Sequence, residues 1–280
     1  LDPFLNYIRT TPYQIFANYT LSVIPLFVLM GAFAERSGLA GDLFKAASAV
    51  VGHRRGGLGM AVIGACTGFG AICGSAVATT ATFSRAVLPE LRRYRYDPGF
   101  SCGVVAVGGT LGILIPPSVI LVVYAISTEQ NIAKLFKAAL IPGLMAAAFY
   151  CITIAIMIAR NPALGPAQPR IAWPDRVRPL LGVIPALVVA VIVVGGIYGG
   201  VFTPTEGASV GAFVMLLIGV LRGTLSLAGI GQAILQTAET SAMIFAILLG
   251  AEVFNAFLAL TQVPTAAAEM IAASGWAPYT

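Results

Sequence analysis

Apolar positions in this chain come in long unbroken runs, not in the strict alternation of half-buried strands. Residues 10–34, 56–84, 98–128, 138–159 and 179–205 contain no Asp, Glu, Lys or Arg. Each run exceeds the roughly 20 residues that a membrane-spanning helix needs. A transmembrane β-barrel, with its short alternating segments, is excluded. The pattern predicts an all-α polytopic membrane protein. A first span covers 19–34 and closes at Glu35 and Arg36. Residues 39–53 set Leu39, Leu43, Ala46, Ala47, Val50 and Val51 at helical spacing, with Asp42, Lys45 and Ser48 elsewhere. They predict an amphipathic helix lying in the interface and ended by Gly52. Further spans are expected at 135–158, 180–200, 208–221 and 237–260. Residues 1–18, with Phe4, Tyr7, Tyr13 and Phe16, read as an interfacial lead-in, 160–179 as a proline-rich polar linker, 223–236 as weakly amphipathic, and 264–274 as interfacial.

Two runs do not fit a simple crossing. Residues 58–91 carry Gly68, Gly70 and Gly74 near the middle and basic residues at both ends: Arg54 and Arg55 before, Arg85, Arg92, Arg93 and Arg95 after. A single crossing would not have two strongly basic flanks, whereas a hairpin that enters, turns at Gly74 and Ser75 and returns would. Residues 100–126 contain Gly108, Gly109, Gly112, Pro116 and Pro117 (GGTLGILIPPS over 108–118). Proline removes a donor and clashes with the preceding turn. Two half-helices joined by unwound backbone over 108–118 are expected here, a device tolerated at membrane depth only beside protein or a polar cavity.

Composition agrees with this reading. Charged residues make up 10% of the chain, against about 25% in soluble domains, and mean hydropathy is +0.92. The net charge of +5 is no nucleic-acid signal, because the basic residues sit between apolar runs as the positive-inside rule requires. With 58–91 as a re-entrant hairpin, Arg36, Lys45, Arg54, Arg55, Arg85, Arg92, Arg93, Arg95, Arg160, Arg170, Arg176, Arg178 and Arg222 share the cytoplasmic side. Arg9, Lys134 and Lys137 lie opposite. Cys66, Cys73, Cys102 and Cys151 have no zinc or redox spacing and read as small buried apolar residues. His53 stands alone beside two arginines, and no HExxH motif or Ser–His pairing suggests a membrane enzyme. Residues 33–39 and 257–263, each followed by an interfacial helix, form a faint repeat that the topology makes inverted, as in secondary transporters.

The two interrupted segments are the candidate site. Gly70, Gly74, Ser75 and Thr79 lie at the hairpin turn, where Ser75 can cap the second half-helix. That N-terminus suits an anionic group, and free carbonyls at the end of the first half-helix suit a hard cation such as Na⁺. Gly108, Gly109, Thr110, Gly112, Pro116, Pro117 and Ser118 offer carbonyl and hydroxyl oxygens in the same way. Glu252, in the last span, is a candidate for a polar or proton-linked role. Glu206, in the 202–207 turn, or Thr205 beside it, is expected to cap the next helix. No phosphate-binding GxxxxGK[ST] loop occurs, so an ion gradient is the expected driving force.

Residues 108–118, 195–208 (GGIYGGVFTPTEGA) and 69–75 (FGAICGS) resemble the large membrane subunit of TRAP transporters, the tripartite ATP-independent periplasmic family. The resemblance implies an elevator-type, Na⁺-coupled uptake system in the bacterial inner membrane. A periplasmic binding protein would deliver an organic acid to this subunit and a small membrane partner. It implies lipid but no nucleic acid as surroundings, no cofactor, and Na⁺ as coupling ion. It also implies a piece of a longer protein. The parts would be lead-in, first span and interfacial helix (1–57), cytoplasmic-side hairpin (58–97), broken helix and following span (98–159), cytoplasmic linker (160–179), and the truncated start of a second repeat (180–280). The alternatives are a dicarboxylate or ion symporter without a binding protein, and a non-transporting scaffold subunit.

Overall fold

A computed structural model describes residues 2–170 and 172–273. The described residues are helical, in the order α1 (Asp2–Phe16), a 3₁₀ turn (Tyr19–Ser22), α2 (Val23–Arg36), α3 (Leu39–Val51), α4 (Gly57–Cys73), α5 (Ala76–Arg93), α6 (Pro98–Leu114), α7 (Val119–Ser127) and α8 (Ile132–Arg160). A short 3₁₀ turn (Pro162–Leu164) leads to α9 (Trp173–Leu181) and α10 (Ile184–Ala190), which runs through a π turn (Val191–Gly195) into α11 (Gly196–Tyr198). Then come α12 (Pro204–Leu221), α13 (Leu227–Thr261) and α14 (Val263–Ala273). Four helices are long and apolar enough to cross a membrane, and the bent pairs α6–α7 and α9–α11 raise the number to six among the described residues.

The chain separates into two compact units, Ser22–Ala238 and Leu1–Leu21 with Glu239–Thr280. In the first, α2 packs along α12, whose residues Gly207, Ala208, Gly211 and Ala212 are buried; Gly211 bears on Met30 of α2, and Gly207 on Ile197 of α11. Small side chains let membrane helices approach closely where lipid offers no hydrophobic driving force. Thr203, not Thr205, is the N-cap of α12. It accepts from the Glu206 N–H at 3.3 Å while the Glu206 carboxylate accepts from the Thr203 N–H at 2.8 Å. In the second unit the Tyr7 hydroxyl donates to Glu252 at 3.3 Å, and Phe16 meets Phe245 edge-on at 5.5 Å.

Residues 58–91 do fold back. The rings of Phe69 and Phe83 pack 5.6 Å apart, although on one straight helix their rise of 1.5 Å per residue would separate them by about 21 Å. At the other end the Leu58 N–H donates to the Tyr96 hydroxyl at 3.2 Å, so both hairpin ends lie together. Burial raises the Tyr96 phenol pKa, against the opposing effect of the Leu58 N–H.

Several boundaries differ from the pattern-based expectation. Residues 173–179, expected in a linker, belong to α9, which packs on α3. The buried residues of α3 are Leu39, Ala40, Leu43, Phe44, Ala46 and Ala49, and Val50 is exposed. Residues 227–261 form one helix with no proline to stop it. Cys102 is exposed, whereas Cys66 and Cys73 are buried.

Candidate functional site

The site is built where the hairpin tip meets the break between α6 and α7. At the tip, Gly74 closes α4 with φ 65°, a left-handed conformation open to glycine. Ser75 follows in extended geometry, and its hydroxyl accepts from the Ala78 N–H at 3.3 Å to cap α5. Thr79, fully buried, donates from its hydroxyl to the Ser75 carbonyl at 2.7 Å and ties the tip down. The break repeats this arrangement. Leu114 is the last residue of α6, Pro116 and Pro117 cannot continue it, and Ser118 caps α7 by accepting from the Leu121 N–H at 3.5 Å. The axis bends by 43° there.

The two interruptions touch. The Val119 N–H reaches the Gly74 carbonyl at 3.4 Å. A Cβ on Gly74 would lie 2.8 Å from the Pro117 carbonyl oxygen and 3.5 Å from the Ser118 Cα. The N-termini of α5 and α7 therefore converge, as do the C-terminal ends of α4 and α6. Partial positive charge from two helices and carbonyl oxygens from two others gather in one place. From α2, Gly31 approaches so closely that a Cβ there would sit 2.7 Å from the Cys73 carbonyl oxygen. From α8, Gly143 approaches the Leu114 carbonyl in the same way, at 3.0 Å.

The expected unwinding over 108–112 does not occur. Gly108, Gly109, Thr110 and Gly112 lie within regular α6, and the irregular backbone is confined to Ile115–Ser118. These glycines serve packing instead. A Cβ on Gly112 would come 2.5 Å from the Thr79 hydroxyl and 2.7 Å from the Ser75 carbonyl, and one on Gly109 would overlap the Thr80 hydroxyl. Gly70 bears on Leu111 and Gly112 from the α4 side. Thr110 faces away: exposed, it donates to the Val107 carbonyl at 2.7 Å and lies 3.2 Å from the Tyr150 hydroxyl. Of the residues expected at the site, Gly70, Gly74, Ser75, Thr79, Gly112, Pro116, Pro117 and Ser118 are brought together. Glu252 belongs to the other unit, is exposed, and accepts from Tyr7.

A polar cluster beside the hairpin was not visible in the sequence. Arg85 of α5 forms an ion pair with Glu35 of α2. Gln236 of α13 donates to Glu35 at 3.1 Å and accepts from Arg36 at 2.7 Å. The cluster borders a cavity of about 510 Å³. Partners 50 and 201 residues apart leave no local signal.

Residues 4–278 match the family described as "Tripartite ATP-independent periplasmic transporter, DctM component". The chain belongs to this family. It is 37% identical over 263 residues to the C4-dicarboxylate TRAP transporter large permease protein DctM of Pseudomonas aeruginosa, covering 94% of this chain and 61% of that protein. It is 38% identical to the DctM protein of Vibrio cholerae (78% and 48% covered) and 34% identical to that of Rhodobacter capsulatus (92% and 62%). The chain thus spans about half to three fifths of these TRAP relatives. Membership agrees with the multi-pass helical architecture.

Proposed function

We propose that the full-length protein is the membrane subunit of a Na⁺-coupled secondary transporter. It imports an organic carboxylate that a periplasmic binding protein delivers, working with a small membrane subunit in the inner membrane by an elevator motion. The observation that carries this reading is the convergence of the α5 and α7 N-termini at Ser75 and Ser118. Positive helix ends at membrane depth favour a carboxylate over a neutral or cationic solute. The nearby carbonyls of Cys73, Gly74 and Pro117 are hard oxygen donors of the kind Na⁺ prefers, and Na⁺ is here a co-transported substrate. The donors on the α6–α7 side come from Ile115–Ser118 in place of Gly108–Thr110. Close packing of α4, α5 and α6 supports their movement as one body.

The test is uptake by the full-length protein and its small subunit in liposomes. An organic carboxylate should accumulate only with an inward Na⁺ gradient and with the binding protein present. Equal uptake without the binding protein, or a requirement for ATP, contradicts this reading.

A further inference from the structure

We propose that the polar cavity beside the hairpin is a second carboxylate site, which the transported acid occupies on leaving the hairpin tip. This rests on the transport reading above. The cavity has a volume of about 510 Å³, within the roughly 300–1,000 Å³ of small-molecule sites. Its walls are Glu35 and Arg36 of α2, the first turn of α3, Thr82 and Arg85 of α5, and Gln232 of α13. Thr82 is seven residues beyond Ser75 on α5, so the cavity lies about 10 Å along that helix from the tip.

The charged groups in the lining select the occupant. The Glu35 carboxylate is already satisfied, because one oxygen accepts from Arg85 and the other from Gln236 at 3.1 Å. Arg36 has no carboxylate partner among the described residues. Its Nη1 donates to the Gln236 side-chain oxygen at 2.7 Å and to the Ala32 carbonyl at 3.3 Å, both neutral acceptors. A guanidinium carries further N–H donors, so Arg36 keeps both donors and an uncompensated charge for a ligand. Arg85, largely exposed and paired through Nη2, keeps donors as well. The wall from α3 adds backbone donors. Gly38 precedes that helix without a side-chain cap, and the N–H groups of Ala40 and Gly41 have no partner among the described residues. Asp42, the acidic residue of this turn, is taken by Arg222. The space in front of the turn is open, since a Cβ built on Gly41 meets nothing within 4 Å. Two guanidinium groups and free N–H groups match a carboxylate in charge and in hydrogen bonding. Because these groups are donors, unlike the carbonyls at the tip, the cavity holds its anion without Na⁺.

The probe is radiolabelled succinate, bound to purified full-length protein in detergent and measured by equilibrium dialysis, with the neutral succinamide as competitor. In Na⁺-free buffer the wild type should bind succinate that succinamide does not displace. Arg36→Gln removes the charge and keeps an amide, and it should weaken this binding roughly tenfold, the usual loss for a hydrogen bond to a charged group. Gly41→Leu, which suits the helix, should fill the cavity and abolish the binding. The double variant Ser75→Ala/Ser118→Ala should keep it at the wild-type level and lose the further binding that Na⁺ brings. No Na⁺-free binding by the wild type, displacement by succinamide, or wild-type binding by both Arg36→Gln and Gly41→Leu overturns the proposal. Failure of the transport reading shows separately, as the absence of any added binding with Na⁺ and of Na⁺-driven uptake in liposomes.

Discussion

Glycines in this protein divide by what a methyl group would meet. At Gly112 it would press on the Thr79 hydroxyl and the Ser75 carbonyl, and at Gly109 on Thr80, all on the hairpin. At Gly103, on the same helix, it would meet nothing within 4 Å. Gly112→Ala and Gly109→Ala are therefore expected to lower the thermal stability of the purified protein and to impair uptake. Gly103→Ala should instead raise stability by about 0.5–1 kcal/mol, the usual helix preference for Ala over Gly. A thermal melt of the three variants decides this, and similar melting for all three would remove the packing role given to α6. The Thr203–Glu206 capping box makes a second local claim. Thr203→Ala should cost about 1 kcal/mol in an equilibrium unfolding measurement without altering the Na⁺ dependence of uptake.

At the scale of elements, the tie between α2 and α5 is the feature most open to a direct experiment. Glu35 is largely buried, with its side chain 11% exposed, whereas Arg85 is 71% exposed. Solvent screening at Arg85 makes the pair a small contributor to stability, about 1 kcal/mol or less. Its geometric effect is larger, because Gly31 and Glu35 sit one turn apart on α2 and engage the tip and the body of the same hairpin. Glu35→Gln and Arg85→Glu should each reduce uptake several-fold with little change in melting, and the reversed pair Glu35→Arg/Arg85→Glu should recover part of the loss. No recovery would mean that the two side chains act separately. The hairpin was legible in the sequence because two independent signals agreed, glycines at the turn and arginines at both ends. The break lies inside the expected 108–118 but is confined to its last four residues, because the glycines of 108–112 do not break α6. A glycine in an apolar helix keeps its backbone hydrogen bonds, and between α6 and α7 the ladder is interrupted at Ile115–Ser118, where Pro116 and Pro117 lie. The α2–α5–α13 cluster depends on contacts that no period or spacing encodes.

For the whole molecule, the fold-back of the hairpin puts Arg54 and Arg93 at one end. Cysteines introduced at these two positions should react with impermeant thiol reagents from the cytoplasmic face only, and labelling of either from the periplasm would rule out a re-entrant hairpin. The repeat proposed from residues 33–39 and 257–263 has a local counterpart in the backbone. Gly38 (φ 76°) and Gln262 (φ 56°) are both left-handed and immediately precede α3 and α14, at the same offset of 224 residues (262 − 38 = 224). The central claim is that the hairpin tip and the Ile115–Ser118 break jointly form the ion and substrate site. It is tested most directly by the Na⁺ concentration for half-maximal uptake in the full-length protein and its Ser75→Ala, Ser118→Ala and Thr110→Ala variants. The account predicts that this concentration rises several-fold for Ser75→Ala and Ser118→Ala and stays at the wild-type value for Thr110→Ala. Unchanged Na⁺ dependence in both serine variants, or a shift confined to Thr110→Ala, would contradict it.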